Sequence, residues 1–191
     1  MANYQMTPLA NEAAWQAELE CCGNYDIYHS AAYHQLPCEG TPYLFSYKDE
    51  FGAAAMPLLL REIPETNYFD FTSVYGYAGI VASLQMSNEN AILFRNAFQQ
   101  AFLQMLDEWK IVSLFSRMNP FILSQWLLEG VADIVELGLT IAIDLRKMAW
   151  ERRAQMSKGH RCDIRKARLG GVTVIEDGQL ERLDDFIESF A

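Results

Sequence analysis

The sequence predicts an α/β (α+β) fold: a mixed, mostly antiparallel central sheet flanked by helices. Three observations carry that prediction. A strong hairpin pattern lies at residues 43–61. A long amphipathic helix pattern follows at about 89–109. Short strand-like and helix-like stretches then alternate to the end of the chain, an order that suits a layered mixed domain. Of the 191 residues, 51% are hydrophobic and 21% charged, which supplies a real core and argues against disorder.

Element by element, residues 8–20 read as a helix, with Leu9, Ala13 and Trp15 among acidic groups. A short helix follows at Ser30–Leu36 with Ser30 as its N-cap, since a serine oxygen accepts the free amides of a first turn. Tyr43–Tyr47 and Gly52–Arg61 flank the turn Lys48-Asp49-Glu50-Phe51-Gly52 and read as paired strands. A third strand runs from Tyr68 to Thr72 and on to Tyr77; Gly76 and Gly79 mark a bend or a close backbone approach.

In the long helix, Phe94, Phe98, Phe102, Met105 and Trp109 recur at three- and four-residue spacing and form one buried stripe, with Asn88 at the N-cap. Ile111–Arg117 reads as a strand ended by Asn119-Pro120, and a short helix covers 121–129. Val131–Glu136 and Leu139–Leu145 read as a strand pair around Gly138. Basic helical segments cover about 147–169, and Gly170-Gly171 is their C-terminal stop. Val172–Ile175 is a last strand, and Leu180–Ala191 is an amphipathic helix.

No run of apolar residues reaches the roughly 18–20 that a membrane helix requires, and the first residues lack the basic start and apolar stretch of a secretory signal. A cytoplasmic protein is expected. Cys21, Cys22, Cys38 and Cys162 show no zinc-type spacing and read as free thiols; no metal site is expected. His29 and His34 are five residues apart, about 140° around a helix, against the spacing of four that a helical metal pair needs. No base–nucleophile pair stands out: His160 and Cys162 lack an orienting acid, and Asp70 within an aromatic strand is a poor general base alone. The catalytic residues stay unassigned.

Net charge is −10, unevenly spread. Residues 146–168 hold nine of the fifteen basic groups and only Glu151 and Asp163 against them, so this segment is +7 and the remainder −17. An acidic protein with one basic segment suggests a local anion site. Lys158, Arg161, Arg165 and Arg168 fall within one narrow helical stripe at about 100° per residue, with Lys166 beside it. Arginine forks grip phosphate in bidentate fashion and lysine adds a point charge. The same stripe also suits a solvated surface face. Tyr75 and Tyr77 share one face by the period-two rule; they line a groove or are half-buried sheet aromatics. Arg117, at a strand end before a turn, is a functional candidate or an ion-pair partner.

The stretch Lys158-Gly159-His160-Arg161-Cys162-Asp163-Ile164-Arg165-Lys166-Ala167-Arg168, followed by Gly171-Val172-Thr173-Val174, resembles the K-x-x-R-x-x-I-x-K-A…G-V segment of Fem-type peptidoglycan-bridge aminoacyltransferases of the GNAT superfamily. Ser73-Val74-Tyr75-Gly76-Tyr77-Ala78-Gly79 is similar to a Gly-containing strand crossing of that family. Asp26-Ile27-Tyr28-His29…Tyr33-His34 and Ser113-Leu114-Phe115-Ser116-Arg117-Met118-Asn119-Pro120 stand in the matching order.

This resemblance implies a bacterial cell-wall transferase with two GNAT-like lobes: residues 1–175 would be the first, and 176–191 the start of a truncated second. It implies transfer of an acyl or aminoacyl group to an amine of an envelope precursor, with aminoacyl-tRNA or acyl-CoA as donor. Lys158, Arg161, Arg165, Lys166 and Arg168 would hold an anionic or nucleotide-linked substrate, and Tyr75, Tyr77 and Arg117 would shape its groove. The R/Q-x-x-G-x-G/A loop that holds a CoA pyrophosphate does not occur here. No cofactor site is therefore expected in this chain; the donor site is expected in a C-terminal lobe, and the isolated chain is expected to be inactive. Two other readings are a nucleotide- or RNA-binding module without chemistry and a protein-interaction module.

Overall fold

The computed structural model describes residues 4–84 and 88–189. They form two compact units, divided between Gly138 and Leu139. In the first, a six-stranded mixed sheet has the order β1-β2-β3-β4-β6, with β5 on β3. The strands are β1 (Tyr4–Pro8), β2 (Thr41–Lys48), β3 (Gly52–Glu62), β4 (Phe69–Thr72), β5 (Val81–Leu84) and β6 (Ile111–Leu114). All pairings are antiparallel except β4 with β6. The helices of this unit are α1 (Glu12–Cys21), α2 (Ala31–His34) and α3 (Asn88–Glu108).

The expected hairpin is the centre of the sheet. Asp49 Oδ1 accepts from the amides of Phe51 at 2.8 Å and Gly52 at 3.2 Å, a local turn lock that sets the β2–β3 register. Ser30 caps α2 as expected, its Oγ accepting from Tyr33 N at 3.3 Å. The aromatic stripe of α3 packs on the sheet: Phe94, Phe98, Phe102 and Met105 are buried, with Phe45, Tyr47, Met56 and Phe71 opposite and Trp109 partly buried beside them. Phe45 meets Phe98 and Phe102 edge to face, with centroids 5.8 and 5.2 Å apart, the geometry that ring quadrupoles favour. The cap expected of Asn88 lies outside the described side chains.

A second layer packs on the other core cluster, where Trp15, Leu19 and Cys22 of α1 and its C-cap meet Leu44, Ala53, Ala55 and Val81. The alanines of β3 keep that face shallow enough for the large indole. Burial pushes the Cys22 thiol up to about 12; Cys21, Cys38 and Cys162 are exposed and unpaired.

Several elements differ from the sequence reading. The chain opens with a strand, β1, and α1 begins only after Asn11, whose Oδ1 accepts from Ala14 N at 3.3 Å. The expected strand from Tyr68 to Tyr77 stops at Thr72. The chain leaves the sheet over residues 73–80 and returns as β5, so β4 and β5 pair with opposite ends of the long β3. The helix expected at 121–129 is only a 3-10 turn at Gln125–Leu128; Asn119 Oδ1 takes the Phe121 amide at 2.9 Å, a side-chain bond that competes with helical pairing.

The second unit contains α4 (Ala149–Gln155), α5 (Lys158–Leu169) and α6 (Leu183–Glu188). The basic helical segments expected at about 147–169 are these α4 and α5, divided where Ser157 Oγ accepts from His160 N at 3.1 Å and starts a new helix. Gly170-Gly171 ends α5 as expected: Gly171 has φ +79°, and the Gly170 and Val172 amides bond back to Lys166 and Ala167, a glycine C-cap. The strands expected at 131–136, 139–145 and 172–175 do not form. An extended segment without a ladder partner has no use for its backbone donors and acceptors. None of the described side chains of this unit is buried.

Two buried histidines make stability depend on pH. His29 Nδ1 accepts from Asp26 N at 3.1 Å, so the proton sits on Nε2, which donates to Gly79 O at 3.0 Å. His34 Nδ1 bonds Ser30 O at 2.9 Å, and its Nε2 is buried with no partner. Burial, ahead of every other influence, holds both below the usual histidine value of 6.5. Protonation is therefore favoured in the unfolded chain. Their contribution to stability is complete above about pH 6.5 and is lost as pH falls, by up to about 1.4 kcal/mol per pH unit for each ring. Melting temperatures should drop between about pH 7 and 5.5, and less steeply in His34→Asn; equal slopes for the two proteins would contradict this.

Candidate functional site

Three separated segments meet where the chain leaves the sheet after β4. Residues 26–33 and 116–119 enclose the excursion 73–80. Within it burial alternates: Val74, Gly76 and Ala78 face inward, whereas Tyr75 and Tyr77 are 84% and 41% exposed. The two tyrosines therefore point outward together, although the segment is not a strand.

Contacts around these tyrosines are specific. Tyr33 donates its hydroxyl to Tyr75 O at 2.9 Å. Tyr28 stands edge-on to Tyr33 and to Tyr77, with centroids 5.0 and 6.0 Å away. The Arg117 guanidinium lies 5.6 Å from the Tyr75 ring centroid, a cation–π stack. No carboxylate pairs with Arg117 among the described residues. The result is an exposed ledge of aromatic rings and hydroxyls with one cation.

The ledge is held from beneath. Gly76 has φ +118°, and a Cβ there would come within 2.4 Å of the Tyr28 ring. A Cβ on Gly79 would come within 2.8 Å of Met118 Cα. Both glycines let backbone approach closely, as their places in the sequence suggested. His29 Nε2 holds Gly79 O, and Ser116 Oγ reaches Ala78 O at 3.5 Å. Buried Asn119 donates to Asp26 Oδ2 at 3.2 Å, tying the first segment to the third. These polar groups are committed to one another and fix the loops, leaving the ring faces of the tyrosines and Arg117 to meet a ligand.

Tyr28, Tyr33 and Asp26 entered the sequence reading only as parts of the resemblance, His29 otherwise only in a rejected metal pair, and Asn119 otherwise only as a strand end. Asp70 forms a bidentate pair with Arg61, both contacts 2.8 Å, in the β3–β4 ladder. Clefts flank the β3–β4 turn, the larger about 650 Å³ and lined in part by Glu62, Tyr68, Trp109 and Lys110. They contain none of the candidate residues.

The basic stripe lies on α5 in the second unit. Lys158, Arg165, Lys166 and Arg168 are exposed, and no hydrogen bond or ion pair engages their side chains among the described residues. Arg161 differs. Its Nη1 donates to Ala154 O at 3.2 Å and Met156 O at 2.5 Å, closing the C-terminal end of α4, where a cation also meets the negative end of the helix dipole. Arg161 is thus a helix-capping residue within its unit. Among the described residues no cluster of three or more histidine, cysteine or carboxylate side chains stands ready for a metal, and no helix is long and apolar enough to cross a membrane.

The fold and ledge define a mixed α+β domain with a surface suited to stacking and to one anionic group. Comparison with known protein families, characterised proteins and solved structures returns no match for this chain.

Proposed function

We propose that this chain is the substrate-binding lobe, over residues 1–175, of a GNAT-like acyl or aminoacyl transferase of the Fem type. In this reading the Tyr75–Tyr77–Arg117 ledge lines the groove for an envelope precursor bearing the acceptor amine. The single observation that carries it is the convergence of Tyr28, Tyr33, Tyr75, Tyr77 and Arg117 at one exposed place on an α+β sheet. Lys158, Arg165, Lys166 and Arg168, exposed on α5 of the second unit, are a separate group of cations for an anionic ligand.

The work assigned to such a lobe is positioning: a rigid ledge orients the acceptor while an activated acyl ester, from aminoacyl-tRNA or acyl-CoA, is attacked. Arg117 would neutralise one anionic group, and Tyr75 would present a ring face already polarised by that cation. The test is a calorimetric titration with a nucleotide-linked peptidoglycan precursor. Saturable binding is expected, weakened at least about tenfold in Arg117→Ala, the size of a lost charge-assisted hydrogen bond. An unchanged affinity in Arg117→Ala would remove the ledge from the site.

The exposed cations of α5 also favour a second reading, a polyanion-binding module without chemistry. It requires affinity for single-stranded RNA that falls with log salt at a slope of about −0.7 per phosphate contacted.

A further inference from the structure

The segment from Leu137 to Leu145 carries a regularity that neither the ledge nor the basic helix uses. Leu137, Leu139, Ile141, Ile143 and Leu145 alternate with Gly138, Thr140, Ala142 and Asp144, and the five apolar side chains are between 65% and 104% exposed. No backbone hydrogen bond involves residues 133–143 among the described residues. Apolar side chains at period two want one covered face, and free amides and carbonyls want a ladder. An added β-strand satisfies both at once, whereas a helix or a flat apolar surface satisfies only the first.

The charges say which strand. Asp133 and Glu136 lie before the apolar row, Arg146 and Lys147 after it. A copy of the segment laid antiparallel brings the acidic end of each strand against the basic end of the other; a parallel copy stacks like charges. With Ile141 facing its own counterpart, Leu139 faces Ile143, Leu137 faces Leu145, and Glu136 faces Arg146 twice, once at each end. Shifting the centre to Ala142 sets Leu137 against Lys147, Glu136 against Met148 and Arg146 against Gly138. Arg146 now bonds Asp144 at 2.9 Å with its own side chain 91% exposed, a surface pair weak enough to exchange. Leu183, Phe186 and Ile187 of α6 are also exposed, and offer a second layer for the apolar face of the ribbon.

We propose that residues 136–146 pair antiparallel with the same residues of a second copy of this chain, about a two-fold axis at Ile141. Such an interface is isologous, so each contact occurs twice and one substitution counts double.

The test uses the intact chain. Sedimentation should show a monomer–dimer equilibrium whose dissociation constant rises about tenfold in Glu136→Arg, because two cross-strand charge pairs turn repulsive. The exchange Glu136→Arg/Arg146→Glu should restore it. In a Cys21→Ser/Cys38→Ser/Cys162→Ser background, Ile141→Cys should form a disulfide dimer, since facing Cα atoms in an antiparallel ladder lie about 4.5–5.5 Å apart. Leu139→Cys, about 13 Å from its counterpart, should not. A chain that stays monomeric, a dimer indifferent to Glu136→Arg, a charge exchange that fails to restore association, or equal crosslinking at both positions would each overturn the proposal.

Discussion

Trp15→Ala is expected to lower the unfolding free energy by about 3–5 kcal/mol, the range for truncating a large, fully buried aromatic. Trp15 has no exposed surface and is the largest side chain of the layer between α1 and the sheet. Its neighbours Ala31, Ala53 and Ala55 are short, so they cannot reach into the space left behind. The loss extends to polar contacts, because the indole N–H donates to His29 O at 2.9 Å and the ring lies against His34 with centroids 5.1 Å apart. Trp15→Phe separates the two contributions: it restores most of the volume and leaves His29 O without its donor, which costs about 1–3 kcal/mol. Urea denaturation of the three proteins measures both. A loss below about 1.5 kcal/mol in Trp15→Ala would mean that α1 does not pack as described. The same substitution should disturb the ledge, since His29 links this layer to Gly79.

Gly76→Ala acts on the ledge directly. The residue sits at φ +118°, a conformation that costs a side-chain-bearing residue about 1–3 kcal/mol, and its new Cβ would collide with the Tyr28 ring at 2.4 Å. Crowding of that kind adds about 1–3 kcal/mol. Tyr28 must then move, and with it the edge contacts to Tyr33 and Tyr77. The expected outcome is a loss of about 2–6 kcal/mol with a changed tyrosine near-ultraviolet circular dichroism spectrum. Tyr28→Ala/Gly76→Ala should recover the steric part alone. A Gly76→Ala protein within about 0.5 kcal/mol of wild type and with an unchanged spectrum would refute the packing of the ledge.

What the sequence disclosed follows from how local each signal is. The β2–β3 hairpin, α3, the Ser30 cap and the Gly170-Gly171 stop are specified by residues within a few positions of one another, and they were readable. β1 and β5 were not. Tyr4–Pro8 is a strand because β2 lies beside it, and β5 exists because β3 is long enough to pair twice; neither fact is written locally. Conversely, Leu139–Leu145 alternates as strictly as any strand in the chain and forms none, because alternation states a demand for a partner without supplying one. The site divides the same way. Period two correctly set Tyr75 and Tyr77 on one side, and helical spacing set the α5 stripe. That Arg117 would lie over Tyr75, forty-two residues earlier, depended on the path of the sheet. That Arg161 would turn back to cap α4 depended on a helix break at Ser157.

The most direct test of the functional reading is a calorimetric titration of this chain with a nucleotide-linked peptidoglycan precursor, run on wild type and Tyr75→Ala/Arg117→Ala. The account predicts saturable binding that the ledge variant loses, with both proteins melting alike. Undiminished binding in the ledge variant, or no binding by well-folded wild type, would contradict it.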